Sequence, residues 1–140
     1  MVTIRPATAA DVGALQTIYA RSISEAVWLP ERAKISPVFA DASIGELVHV
    51  AVSASDVVVG LVSVYVADSF IHHLYVHPDA RRSSVGQALL ASLGAWLPRP
   101  WRLKCVLQNS EALRFYRRGG WSEVDFGESE HGPFVVLSFP

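Results

Sequence analysis

Residues 69–97 read SFIHHLYVHPDARRSSVGQALLASLGAWL, and this stretch decides how the rest of the chain is read. Phe70, Ile71, Leu74, Tyr75 and Val76 have the β-branched and aromatic character of a buried strand. Val85, Ala88, Leu89, Ser92, Leu93, Trp96 and Leu97 then recur at helical spacing, giving one apolar stripe that Pro98 stops. A strand that runs through an arginine-bearing turn into a helix leaves unpaired backbone N–H groups at the helix start. The positive end of the helix dipole lies behind them, so the turn is suited to an anion. Read as bare residues, 81–84 could equally be a solvated turn with a capping box from Ser84 to Gln87.

The wording of residues 74–90, LYVHPDARRSSVGQALL, resembles the acetyl-CoA-binding motif of the GNAT superfamily of N-acyltransferases. That motif is Arg/Gln-x-x-Gly-x-Gly/Ala after a strand ending in Leu-x-Val. Arg81 takes its first position and Gly86 its last, while Ser84 stands where the first glycine is usual. A serine adds a Cβ where backbone should approach a pyrophosphate, although its hydroxyl can donate to the same phosphate.

Working outward, residues 2–5 read as a strand ended by Pro6. Thr8 and Asp11 form a capping box for a helix with Leu15, Ile18, Tyr19, Ser22 and Ile23 on one face. Periodicity weakens over residues 26–44, where a short second helix between loops is expected near Trp28, Leu29, Pro30, Pro37 and Phe39. Residues 47–53 and 57–67 form a hairpin across the polar turn 54–56. After the central helix, residues 101–108 alternate as a strand that can lie parallel to the 70–76 strand. Asn109 or Ser110 caps a helix that Gly119 and Gly120 end, with Ala112, Phe115 and Tyr116 on one face. Residues 121–126 and 134–139 close the chain as a hairpin.

The order β-α-α-β-β-β-α-β-α-β-β defines an α+β class. It matches the GNAT fold, which implies a mixed, mostly antiparallel sheet of about seven strands with about four helices and a splayed parallel pair at the coenzyme site. A second segment, NSEALRFYRRGGW at residues 109–121, resembles the other signature of that family. Residues 1–140 are accordingly expected to form a single GNAT domain.

Composition narrows the function. Hydrophobic residues make up 51% and charged ones 18%, so a packed core is affordable, and a net charge of -1 offers no general attraction to nucleic acid or membrane. The lone Cys105, in an apolar run, excludes an intrachain disulfide and reads as a buried inert thiol. With no signal-like or membrane-length segment, a cytoplasmic location is the expectation.

The resemblance assigns roles residue by residue. Arg81, Arg82, Ser83, Ser84, Val85, Gly86 and Gln87 would anchor the phosphates of acetyl-CoA, the only cofactor implied. Leu74, Tyr75 and Val76 would pair with its pantetheine arm, the amide of Val76 or of a near neighbour polarising the thioester carbonyl. Tyr116 would face the sulfur as general acid; without the resemblance it reads as a core aromatic. Asn109 would lie near the pantetheine arm or only cap its helix. By strand alternation Phe70, His72, Leu74 and Val76 face one way and Ile71, His73 and Tyr75 the other. His72 then stands where relatives carry a base, the alternative being an ordered water chain. With His72 and His73 on opposite faces, His77 in strand-end wording and no Cys or paired carboxylate completing a ligand set, no metal is expected. His49 has no inferable role.

The expected activity is N-acetylation of a primary amine, on a small molecule or peptide, by direct attack in a ternary complex. The alternative is a noncatalytic acyl-CoA-binding regulatory domain of the same fold, which the Ser84 departure and the missing family carboxylate favour. Glu25, Glu31 and Asp41 are scattered, so a polycationic acceptor is not indicated. Neither nucleic acid nor membrane is an expected partner, and a homodimer is compatible with the reading.

Overall fold

Pro6 ends the first strand, short polar turns join the next three, and apolar residues on alternating positions give each strand a face to bury. In the computed structural model, which describes residues 1–81 and 83–140, these become β1 (Val2–Pro6), β2 (Leu47–Ser53), β3 (Val58–Tyr65) and β4 (Phe70–Val76). Arg82, expected in the anchoring turn, lies outside the described residues. Strands β5 (Trp101–Val106), β6 (Ser122–Ser129) and β7 (Gly132–Phe139) complete one mixed sheet in the order β1-β2-β3-β4-β5-β7-β6. Helices α1 (Val12–Glu25), α2 (Phe39–Ala42), α3 (Val85–Ser92) and α4 (Ser110–Arg118) cover it.

Each face of the sheet has its own core. On one side Leu15 and Ile18 of α1 and Phe39 of α2 pack on Val50, Val52 and Leu61. On the other, Val85, Leu89 and Leu90 of α3 join Val62, Val64, Ile71, Leu103, Leu113, Tyr116 and Leu137. Gly60 lets α3 settle on β3, because a Cβ there would stand 3.0 Å from Val85 Cγ1 and 3.1 Å from Leu89 Cδ1. Each fully buried leucine of this kind contributes roughly 1.5–3 kcal/mol.

Several boundaries differ from the sequence expectation. The central helix ends at Ser92 and continues as a 3-10 turn, Leu93–Ala95, yet Leu93 and Leu97 remain buried. Residues 26–44 hold a 3-10 turn, Glu31–Lys34, besides the four-residue α2. Closing strands β6 and β7 extend further toward each other, with only two residues between them. Ser84 makes no side-chain cap hydrogen bond, so the alternative reading of a Ser84–Gln87 capping box does not hold.

Two irregularities shape the sheet around β4. Parallel pairing with β5 is confined to Phe70 opposite Arg102, whose N–H donates to the Ser69 carbonyl at 3.1 Å. Beyond that point the strands separate. On its other edge β4 pairs with β3 as Val64–Ile71 and then Ser63–His73, so His72 is an extra residue, a β-bulge. No helix of the described residues is long and apolar enough to cross a membrane.

At the N-terminal end, Arg5 and Asp11 form a two-pronged ion pair of 2.7 and 3.0 Å, and the Thr8 N–H donates to the same carboxylate at 2.7 Å. The Arg5 hydrogen bond, followed by that of the Thr8 N–H, holds the Asp11 carboxyl down at about 2. A depressed folded pKa stabilises above the unfolded value and is lost as pH falls through the folded one. Asp11→Ala should therefore lower stability by about 1–2 kcal/mol at pH 7. In urea denaturation the gap between variant and wild type should close as the pH falls from 4 through 2.

Candidate active site

The gap between β4 and β5 is bordered by backbone that β5 does not pair. The His77 N–H donates to the Val59 carbonyl on β3 at 2.8 Å. Because successive N–H groups along a strand alternate in direction, those of Val76 and Leu74 face the gap. The Leu74 and Val76 side chains join the α3-side core, whereas Tyr75 packs with the α1-side core. Burial raises the Tyr75 hydroxyl pKa, with Tyr19 and Glu46 adding to it.

Arg81 and residues 83–87 lie where this strand turns into α3. The Arg81 Nε–H donates to the Val76 carbonyl at 3.2 Å, and Nη1 pairs with Glu25 at the end of α1 at 2.9 Å. The Ser83 hydroxyl donates to the Ala80 carbonyl. Ser84 has φ 66° and ψ 16°, a left-handed conformation that explains why glycine suits this position, and its carbonyl accepts the first helical bond from Ala88 at 3.0 Å. Val85, Gly86 and Gln87 are the first-turn residues of α3, whose N–H groups lack intrahelical acceptors. A Cβ on Gly86 would come within 3.3 Å of the Phe115 ring, so this glycine serves the approach of α3 to α4.

Tyr116 lies in the α3-side core, edge-on to Phe115 at 5.2 Å and to Trp121 at 5.6 Å. Burial, reinforced by Cys105 and Tyr75, raises its pKa. Burial also pushes the Cys105 thiol up to about 11, which keeps it protonated and unreactive near neutrality. The Asn109 side chain accepts the Ala112 N–H at 3.3 Å and so caps α4.

The bulge corrects the strand alternation. Ile71, Leu74 and Val76 face α3, while both histidines turn to the other side, their ring centroids 4.0 Å apart. There they meet Glu46, a carboxylate that sequence reasoning missed and whose side chain is fully buried. The Ser63 hydroxyl donates to Glu46 Oε1, and His72 Nδ1 lies 2.6 Å from Oε2. An ionised carboxylate only accepts, so Nδ1 carries the proton and the lone pair of His72 sits on Nε2. His72 is 40% exposed and stacks on Tyr65 at 5.5 Å. His73 is buried, with Nε2 3.2 Å from the Ala42 carbonyl and edge contacts to Tyr19 and Phe39. Burial, then the neighbouring His72, lowers its pKa.

The sequence offers no Cys or paired carboxylate to complete a ligand set, but the structure brings a single carboxylate to the two histidines: donor atoms of Glu46, His72 and His73 lie within 4.8 Å of one another. Glu46 comes from two strands away, because Leu47 pairs with Val64, which pairs with Ile71. The only local signal was an acidic residue at the head of an apolar strand. The remaining histidines stand apart. His77 accepts the Asp79 N–H at 3.1 Å, and His49 stacks on Trp96 at 4.9 Å.

A sheet with one splayed parallel pair, a strand-turn-helix at the splay and a polar cluster on the neighbouring strands define an acyltransferase-type fold. Residues 45–123, more than half of the chain, match the family model of the acetyltransferase (GNAT) domain. The chain belongs to the GNAT acetyltransferase family. Among solved structures it is similar to apo YjaB from Escherichia coli, with a TM-score of 0.81 at 20% identity over 99% of this chain and 97% of that one. It is also similar to a GNAT superfamily phosphinothricin acetyltransferase from Sinorhizobium meliloti in complex with acetyl-CoA, with a TM-score of 0.71 at 20% identity over 99% and 88%. The ribosomal-protein-S18-alanine N-acetyltransferase from Escherichia coli gives a TM-score of 0.72 at 19% identity over 100% and 94%. Comparison of the sequence with curated proteins returns no match.

A left-handed serine carries a steric cost that glycine avoids. Ser84→Gly should therefore raise stability by about 0.5–1 kcal/mol. The measurement is the urea midpoint, and an unchanged or lower midpoint would show that Ser84 is not strained.

Proposed function

We propose that the protein is an acetyl-CoA-dependent N-acetyltransferase that acetylates a primary amine, of a small molecule or peptide, by direct attack in a ternary complex. The observation that carries this reading is the Glu46–His72 pair. A buried carboxylate holds an exposed imidazole in the tautomer whose free nitrogen can take a proton, beside the strand that borders the open gap. The acetyl-CoA complex of the Sinorhizobium meliloti relative supports the choice of donor.

In this reading the pyrophosphate sits on the first-turn N–H groups of α3, and Arg81 exchanges its exposed Glu25 pair for phosphate. An exposed pair of this kind is worth only about 0–1 kcal/mol, so the exchange is cheap. The pantetheine arm lies along β4 and the Val76 N–H donates to the thioester oxygen, stabilising the charge that develops there. The acceptor amine gives its proton to His72 Nε2 while Glu46 holds Nδ1 and offsets the imidazolium charge. Nitrogen then adds to the carbonyl carbon and the carbon–sulfur bond breaks. Tyr116, kept protonated by its raised pKa, donates a hydrogen bond to the leaving thiolate. Full transfer is uphill against a thiol of ordinary pKa ~8.5, and solvent completes the protonation. The acceptor approaches on the α1 side, where Phe39 and Ala42 border His73.

A noncatalytic acyl-CoA-binding domain is the weaker reading. It needs no oriented imidazole, and Ser84 preserves the glycine-like course of the turn.

Calorimetric titration with acetyl-CoA, then thiol release in the presence of an amine panel, tests the proposal. Binding with release is expected; binding without release across the panel would move the protein to the noncatalytic class. His72→Ala and Glu46→Gln should each lower kcat ~100-fold, the scale of lost general-base catalysis, without weakening acetyl-CoA binding. Tyr116→Phe should lower kcat by roughly 10-fold or more, again with the donor affinity retained. A loss of affinity instead would assign Tyr116 a structural role.

A further inference from the structure

Glu46 has a fully buried carboxylate, and its ion-pair partners among the described residues are the histidines 72 and 73. A buried charge needs compensation, and imidazole supplies it only by binding a proton. An ion that binds both imidazoles and the carboxylate would meet the same need. We propose that Glu46, His72 and His73 form a site for one divalent transition ion of the zinc class, which takes the place of the proton between Glu46 and His72.

The donor chemistry and the geometry both support such an ion. One carboxylate oxygen and two imidazole nitrogens are the mixed set that zinc, cobalt and nickel accept, and solvent fills the fourth position on the exposed side of His72. Around a tetrahedral ion with bonds of about 2.0–2.1 Å, donor atoms stand ~3.3 Å apart. Here His72 Nδ1 is 2.6 Å from Glu46 Oε2, and His73 Nε2 is 3.9 Å from Oε1. The first distance must open by less than ~1 Å; the second runs to the other oxygen of the same carboxylate, and with the donor atoms of the three side chains within 4.8 Å of one another the imidazoles close on the ion by side-chain rotation.

The surroundings supply the outer contacts such a site needs. Ser63 donates to the carboxylate and fixes its plane. On ligating through Nε2, His73 gives up the Ala42 carbonyl and moves its ring proton to Nδ1, which faces the Tyr75 hydroxyl oxygen 3.5 Å away. Tyr19 and Phe39 pack against the His73 ring, limiting its movement. The bulge creates the site, since regular alternation would place the two imidazoles on opposite faces of the sheet. Binding through Nδ1 moves the ring proton of His72 to the solvent-facing Nε2, so both imidazoles ligate as neutral groups.

The test is titration of the purified chain with Co2+, read by the visible absorption of the tetrahedral ion, followed by displacement with Zn2+. No acetyl-CoA or amine is present, so the result is independent of the acetyltransferase reading. A protein that transfers acetyl groups but binds no cobalt sinks only this proposal; the reverse sinks only the other. One equivalent is expected, with at least a tenfold loss of affinity in His73→Ala and in His72→Ala. His72 is partly exposed, so its variant preserves the test if His73→Ala does not fold. His131→Ala, at the distant closing hairpin, should bind as wild type does. No spectrum, or a spectrum that survives in the His72 and His73 variants or disappears in His131→Ala, overturns the site.

Discussion

The residue by which β4 outruns β3 controls the chemistry on this side of the sheet. Between the Val64–Ile71 and Ser63–His73 pairs, His72 has no partner on β3, and the strand accommodates it by bringing two consecutive imidazoles to one face. That face already holds Ser63 and the head of β2, so the histidines arrive beside a buried carboxylate rather than at solvent. Removing one residue from this strand would restore alternation and disperse the cluster. The packing of Ile71 on one side of the bulge and of Leu74 and Val76 on the other fixes the register, which makes the irregularity a consequence of the core.

The second irregularity lies on the opposite edge of the same strand. A single parallel pair joins β4 to β5, so the sheet is continuous at one end and open at the other. The open end is where the chain turns into α3, and there the turn is tied back by Arg81 to the Val76 carbonyl and to the end of α1. Both cores therefore meet at β4, and a ligand seated in the gap would touch backbone held from two sides.

How far the sequence could be read follows from the range of the interactions involved. The succession of strands and helices along the chain, the strand-turn-helix at residues 70–92 and the helix that carries Tyr116 rest on local periodicity, caps and turn residues, and all are legible from neighbouring letters. The family resemblance named at residues 74–90 and 109–121 agrees with the matched family segment. Strict alternation failed at His72, because a bulge is decided by packing across three strands and leaves no mark in a single one. Glu46 was missed for the same reason: it is 26 residues from His72 along the chain and is brought to it by the β2–β3–β4 register. The role of Asn109 as a helix cap, by contrast, was available from its position alone.

The aromatic cluster behind α4 gives the molecule an optical property of its own. Of the four tryptophans, Trp101 and Trp121 are buried with ring centroids 6.5 Å apart, and Phe139 stacks on Trp101 at 5.3 Å. The Arg99 guanidinium lies 5.2 Å from the Trp101 ring, and Tyr116 meets Trp121 edge-on. Indoles buried in this way are expected to emit at the blue end of the tryptophan range, with an intensity that depends on the spacing of that cation and that phenol. Any event that shifts α4 relative to β5 therefore changes the intrinsic fluorescence of the chain, with no label attached.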